Sequence, residues 1–182
     1  MTNSVVFRID MDVQAFKQRI LPVQGRLFRV AQLFLRNREE AEDALQDVLL
    51  RLWTNRQQLG TYQSIEALAV QMTKNLCLDR LKAHRTQKMT DDTAWLDVSA
   101  DGVSPYRQVE LADSARLMQQ LIDALPDPQK LIVHLRDVEE CSFEEIEQIT
   151  GLTINHIRVI LSRARQHLRD NYAKLINYES GH

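Results

Sequence analysis

Residues Asp123 to Arg169 read DALPDPQKLIVHLRDVEECSFEEIEQITGLTINHIRVILSRARQHLR. This stretch predicts two short helices around a tight turn, followed by an arginine-bearing helix. Ser142 can cap a helix, and Glu145 stands three residues on as its reciprocal partner in a capping box. Phe143, Ile146 and Ile149 recur at helical spacing. Gly151 can take the positive φ at which such a helix stops. Thr153 is the next N-cap. In the helix that follows, Ile157, Leu161, Ala164 and Leu168 form an inward face. Arg158 is expected on the opposite face, early in the helix, and Arg163, Arg165 and Arg169 follow. This is the layout of a helix-turn-helix aimed at a DNA major groove. Asn155, His156, Arg158, Ser162, Arg163 and Arg165 can all hydrogen-bond to base edges or phosphate. Glu147 stands where a small residue is usual, four before the turn glycine. Either the two helices cross loosely, or the Glu stem lies along the surface with its head in water.

The rest of the chain is read outward from this stretch. With 182 residues, 44% of them hydrophobic, and only 5 Gly and 4 Pro, it can bury one large or two small cores and favours an all-α fold. No apolar run approaches the roughly 18 residues of a membrane span. The first residues, MTNSVVFRIDMD, lack a basic segment followed by an apolar core, so no signal peptide is expected and the compartment is read as cytoplasmic. Cys77 and Cys141 show no metal-ligand spacing and are expected as buried free thiols.

The net charge of −2 says less than its distribution. Lys74, Arg80, Lys82, Arg85 and Lys88 make one basic run, and Arg158 to Lys174 holds a second. Glu39, Glu40, Glu42, Asp43 and Asp47 make an acidic block near the front. Two nucleic-acid contacts and a separate partner surface are implied. The five histidines show no paired ligand spacing, and no phosphate-cradling glycine loop or GxSxG motif is present. No catalytic residue, metal, cofactor or small-molecule substrate is expected.

Periodicity predicts a helix over about Asp12 to Leu35, broken or kinked near Leu21 by Pro22. A second starts at the Asn37/Glu40 cap signal and runs to Trp53. A third spans about Ser64 to Ala83. Thr86 to Pro105 has no sustained period and reads as a linker, with Trp95 as its odd residue. A helical pattern resumes at Leu111, is broken at Pro126 and Pro128, and returns over Lys130 to Val138. The fold class is thus all-α: a helical bundle over residues 8–85, a polar linker over 86–107, and a helix-turn-helix domain over 108–176.

Three blocks, in order, resemble the extracytoplasmic-function (ECF) group of the sigma-70 family of bacterial RNA polymerase sigma factors. They are LFRVAQLFLRNREEAEDALQDVLLRLW (Leu27 to Trp53), MTKNLCLDRLKAHR (Met72 to Arg85) and the helix-turn-helix region already quoted. The resemblance implies that Glu42, Asp43, Gln46 and Asp47 bind the β′ coiled coil of core RNA polymerase, with a further contact to the β flap. The charge sign agrees, since these acids would repel DNA phosphate. It implies that Tyr62, Asn75, Arg80, Lys82 and Arg85 serve the −10 element, with a melted base captured near Asn75, whose amide both donates and accepts. The C-terminal helix would read −35 duplex. The acidic linker, with Asp91, Asp92 and Asp97, would run near the nascent RNA path. Promoter DNA and an anti-sigma factor are the other implied partners. Without polymerase, the two DNA faces are expected to be partly covered, by each other or by that partner. A helix-turn-helix regulator acting without polymerase would leave Leu27 to Arg85 without a role.

Overall fold

The computed structural model describes residues 12–90 and 108–179, and all its regular elements are helical. Helix α1 (Val13–Leu35) is capped by Asp12, whose carboxylate accepts from the Ala15 N–H at 2.7 Å, and it stops at Arg36 with φ 56°. Pro22 does not break the helix: α1 continues through it to Leu35. Pro22 is exposed, so water can take the Gln18 carbonyl that its ring leaves unbonded, while buried Ile20, Val23 and Leu27 hold the helix down on either side. Helix α2 (Arg38–Thr54) starts as the cap signal indicates, the Asn37 side chain accepting from the Glu40 N–H at 3.1 Å. A 3-10 turn (Arg56–Thr61) pinned by buried Leu59 leads to α3 (Ile65–Thr90). Ser64 Oγ accepts from the Ala67 N–H at the start of α3. The helix continues to Thr90, into the span read as linker. Residues 91–107, with Trp95 and the linker acids Asp91, Asp92 and Asp97, lie outside the described residues, as does the Arg85 side chain.

The second half holds α4 (Gln108–Asp123), α5 (Asp127–Val133), a π-helical turn (His134–Val138), α6 (Phe143–Thr150) and α7 (Ile154–Glu179). The single helix expected over Lys130 to Val138 is therefore an α-helix starting earlier and running into a π turn. The Glu139 N–H reaches back to the His134 carbonyl, and Glu140 follows with φ 55°. Helix α1 packs on α2 and α3, while α7 packs on α4, α5 and α6.

The halves do not stand apart. Helix α6 packs on α3, and buried residues of both halves form one continuous apolar cluster that includes Leu27, Val70, Leu135 and Ile146. Cys77 and Cys141 are free and buried within it. Burial pushes the Cys77 thiol up to about 11, so it stays protonated at neutral pH.

Candidate nucleic-acid and polymerase interface

The capping box forms as its spacing requires: Glu145 N–H donates to Ser142 Oγ at 3.1 Å, and Ser142 N–H donates to Glu145 Oε2 at 2.6 Å. Gly151 closes α6 with φ 72°. Thr153 caps α7, its hydroxyl accepting from the His156 N–H at 3.4 Å. The Glu147 head is not left to water alone. Its Oε1 accepts from the Ile154 N–H at 3.2 Å, so a side chain of α6 caps α7. A carboxylate there satisfies a free N–H and faces the positive end of the helix. The residue that ought to be small serves as the brace of the turn.

Ile157, Leu161, Ala164 and Leu168 are all buried. At about 100° per residue, Val159 and Gln166 stand farthest from that stripe, followed by Asn155 and then by Ser162 and Arg163. Arg158 and Arg165 stand on its flank, so Arg158 is about a quarter turn from the buried face and not opposite it. Both are exposed, and both are held. The Arg158 guanidinium lies 5.0 Å from the centroid of the Phe143 ring. Asp137, in the π turn, takes the Arg165 fork, with Nε donating to Oδ2 at 3.2 Å and Nη2 to Oδ1. That pairing raises the Arg165 pKa. His156 is exposed, and Ile160 on the other flank is half-buried.

In the first half, α2 and α3 bring two expected sites together. Arg80 Nη2 donates to Asp47 Oδ2 at 2.7 Å, and Nη1 donates to the Glu40 carbonyl at 3.0 Å. A residue expected at DNA and one expected at polymerase thus brace each other, and neither is wholly free. Glu42, Asp43 and Gln46 are exposed on α2; Glu42 pairs with Arg38 one turn earlier at 2.9 Å. Leu50, farther along the same helix, is 63% exposed. Asn75 and Lys82 are exposed on α3, and Tyr62 at its approach is 50% exposed. Lys82 borders a cleft of about 340 Å³ between the halves, with Leu81 on one side and Asp127 and Lys130 on the other.

Across the halves, Glu139 is the main ionic contact. Its side chain is 3% exposed and accepts from Arg29 Nε at 2.6 Å, Arg29 Nη2 at 2.7 Å and Arg26 Nε at 3.4 Å. Arg26 also reaches Glu66 on α3 at 2.9 Å. The Arg29 hydrogen bonds hold the Glu139 carboxyl below its ordinary range. His134 Nε2 is buried 3.2 Å from Glu139 Oε1, without the alignment of a hydrogen bond, and burial pushes its imidazole below the usual value. Arg36 adds a second tie, donating to the Asp123 carbonyl at 2.9 Å. None of these interdomain partners stood out in the sequence. Among the described residues no His/Cys/Asp/Glu group could hold a metal, and no helix is long and apolar enough to cross a membrane.

Two family models match the chain: Sigma-70 region 2 over residues 20–87 and Sigma-70, region 4 over residues 115–168. The ECF RNA polymerase sigma factor SigW of Bacillus subtilis is 24% identical over 166 residues, spanning 87% of this chain and 89% of SigW. The ECF RNA polymerase sigma factor SigE of Mycolicibacterium smegmatis is 30% identical over 154 residues, spanning 82% of this chain and 58% of SigE. Among solved structures, the sigma factor RpoE from Bartonella quintana, crystallised with the anti-sigma factor NepR, superposes with a TM-score of 0.71. That match covers 89% of this chain and 98% of RpoE at 23% identity, and it speaks to the fold. With region 2 laid on α1–α3 and region 4 on α4–α7, in that order, the chain belongs to the sigma-70 family, in its extracytoplasmic-function group, as an RNA polymerase sigma factor of transcription initiation.

Proposed function

We propose that the chain binds core RNA polymerase through the exposed acidic face of α2, sets α7 in the −35 major groove, and captures one melted strand of the −10 element on α3. The observation that carries this reading is the braced turn between α6 and α7. It leaves Asn155, Arg158, Val159 and Ser162 exposed along one side of a helix whose other side is buried. Such a helix can enter a groove without unfolding anything. Glu42, Asp43 and Gln46 serve the β′ coiled coil, with Asp47 set by Arg80; region 4 also meets the β flap. Asn75 is the base-reading residue of α3, Tyr62 and Lys82 flank it, and Arg85 adds positive charge to the backbone path. Arg80 acts chiefly as the strut that holds α3 against α2. The RpoE neighbour was crystallised with an anti-sigma factor, and this chain is proposed to be held by one as well.

The test is transcription from promoter fragments by core polymerase with and without the chain, with permanganate reporting strand melting. Asn75→Ala is expected to bind −35 duplex normally and to melt poorly, losing about 1–3 kcal/mol for one polar base contact. Normal melting by that variant would remove Asn75 from the −10 site. No promoter selection by the unsubstituted chain would remove the reading as a whole.

A further inference from the structure

Phe143, the first residue of α6, carries two guanidinium groups over its ring, Arg136 at 4.8 Å and Arg158 at 5.0 Å from the centroid. The two differ in freedom. Arg136 is half-buried and also donates through Nη1 to the Cys141 carbonyl at 2.6 Å, so it belongs to the frame around the ring. Arg158 is exposed, and Phe143 is the sole partner it has among the described residues. Ion pairing would occupy donors, as Asp137 occupies Nε and Nη2 of Arg165. Contact with a ring does not: it pairs none of the N–H donors with an oxygen, and the Nη pair can still meet a guanine O6/N7 edge. An unsupported arginine must order its rotors when it binds; one already laid on a ring has less freedom left to lose. Arg163, by contrast, has no such contact among the described residues and suits a phosphate anchor, where position matters less.

We infer that Phe143 is a positioning residue for −35 recognition: its ring presets the Arg158 guanidinium, so the base preference of α7 depends on a side chain of α6. This rests on the −35 reading proposed above. A Phe143 that only packed would influence folding and overall affinity and leave base preference untouched.

The experiment uses the full chain with core polymerase and a selection from promoter fragments randomised over the −35 element, with thermal melting of each variant as the control for folding. Arg158→Ala is expected to relax preference at one base pair by about 5- to 150-fold. Phe143→Leu, which keeps apolar bulk without a ring, is expected to relax the same base pair by about 2- to 5-fold. Phe143→Tyr should retain the preference, and Phe143→Leu should add nothing in an Arg158→Ala background. If Phe143→Leu melts early, Phe143→Met reads the same pair. Uniform weakening of all sequences with base preference intact would overturn the positioning role. An unchanged preference for Arg158→Ala would overturn the assignment of that base contact instead, and with it the inference.

Discussion

Both carboxylate oxygens of Glu139 are held by Arg29, at 2.6 and 2.7 Å, across 110 positions of sequence. The pair joins the region 4 half to the region 2 half in the same arrangement that packs α6 on α3. Helices in contact lie about 8–10 Å apart, so α3 and α7, with α6 between them, lie within about 20 Å. Elements named −35 and −10 are separated by about 25 base pairs, about 85 Å at 3.4 Å per pair. On the function proposed above, a chain that engages both elements at once parts its halves, and Glu139 leaves Arg29.

Breaking that pair is therefore expected to loosen the free chain without unfolding either half. Dyes at Gln57 and Glu144, both exposed, would report the separation, since the native thiols are buried. Glu139→Gln should lower energy transfer in the free protein and reduce stability by about 1.5–3 kcal/mol, the range for hydrogen bonds to a charged group. The exchange Arg29→Glu with Glu139→Arg should restore part of the transfer. Unchanged transfer in Glu139→Gln would mean that apolar packing alone holds the halves.

Acid should act on the same cluster. His134 titrates below its ordinary 6.5 in the fold, because burial disfavours the imidazolium. The unfolded chain then takes up a proton that the folded chain refuses, so this stability is complete above pH 6.5 and drains away as pH falls below it. Glu139 is also depressed, by the Arg29 hydrogen bonds, and its contribution is lost at lower pH, beneath its ordinary 4.5. Urea midpoints should therefore drop between pH 7.5 and 5.5, and His134→Leu should flatten that slope. An equal slope in His134→Leu would assign the loss to other groups.

The acidic block should divide into contact and strut. Asp43 is exposed with no ion pair among the described residues, whereas Asp47 is tied to Arg80 at 2.7 Å. Asp43→Lys is expected to weaken core polymerase binding at unchanged stability. Asp47→Asn is expected to cost up to about 1 kcal/mol of stability, the range of a partly exposed ion pair. A pull-down with core polymerase and a urea titration on each variant would separate the roles. Loss of stability in Asp43→Lys with polymerase binding intact would reverse the assignment.

Glu147 should behave as a cap in spite of lying on the preceding helix. Glu147→Ala leaves the Ile154 N–H without its partner and should destabilise region 4 by about 0.5–2 kcal/mol, the range of N-cap deletions. Glu147→Gln keeps an acceptor and should lose less. Thermal melts of both variants give the comparison, and equal melting of Glu147→Ala and the unsubstituted chain would show that the cap is idle.

The elements of this protein were legible because their signals are local. Ser142 with Glu145, Asn37 with Glu40, and the glycine at position 151 act within three or four residues, and the stripe Ile157, Leu161, Ala164, Leu168 follows from helical period alone. The exposed residues assigned to the interface, Asn155, Ser162, Asn75 and Asp43 among them, follow from the same periodicity together with the family blocks. What only the tertiary structure decided is who meets whom. In sequence Arg80 reads as a DNA contact, Asp47 as a polymerase contact and Glu147 as a surface or loosely packed group, and Arg29 and Glu139 carry no signal at all, because a charge does not declare a partner 7, 33 or 110 residues away. Arg158 was placed opposite the core although the helical period itself sets it only about a quarter turn from Ile157 and Leu161; what the structure adds is its contact with the Phe143 ring of another helix. Pro22 was expected to break or kink α1, and the break does not follow because the proline rule concerns one hydrogen bond, whereas the helix rests on the burial of Ile20, Val23 and Leu27 around it. Local sequence sets which segments can be helices; packing free energy, summed over contacts distant along the chain, sets which of them touch and which charges are left for a partner.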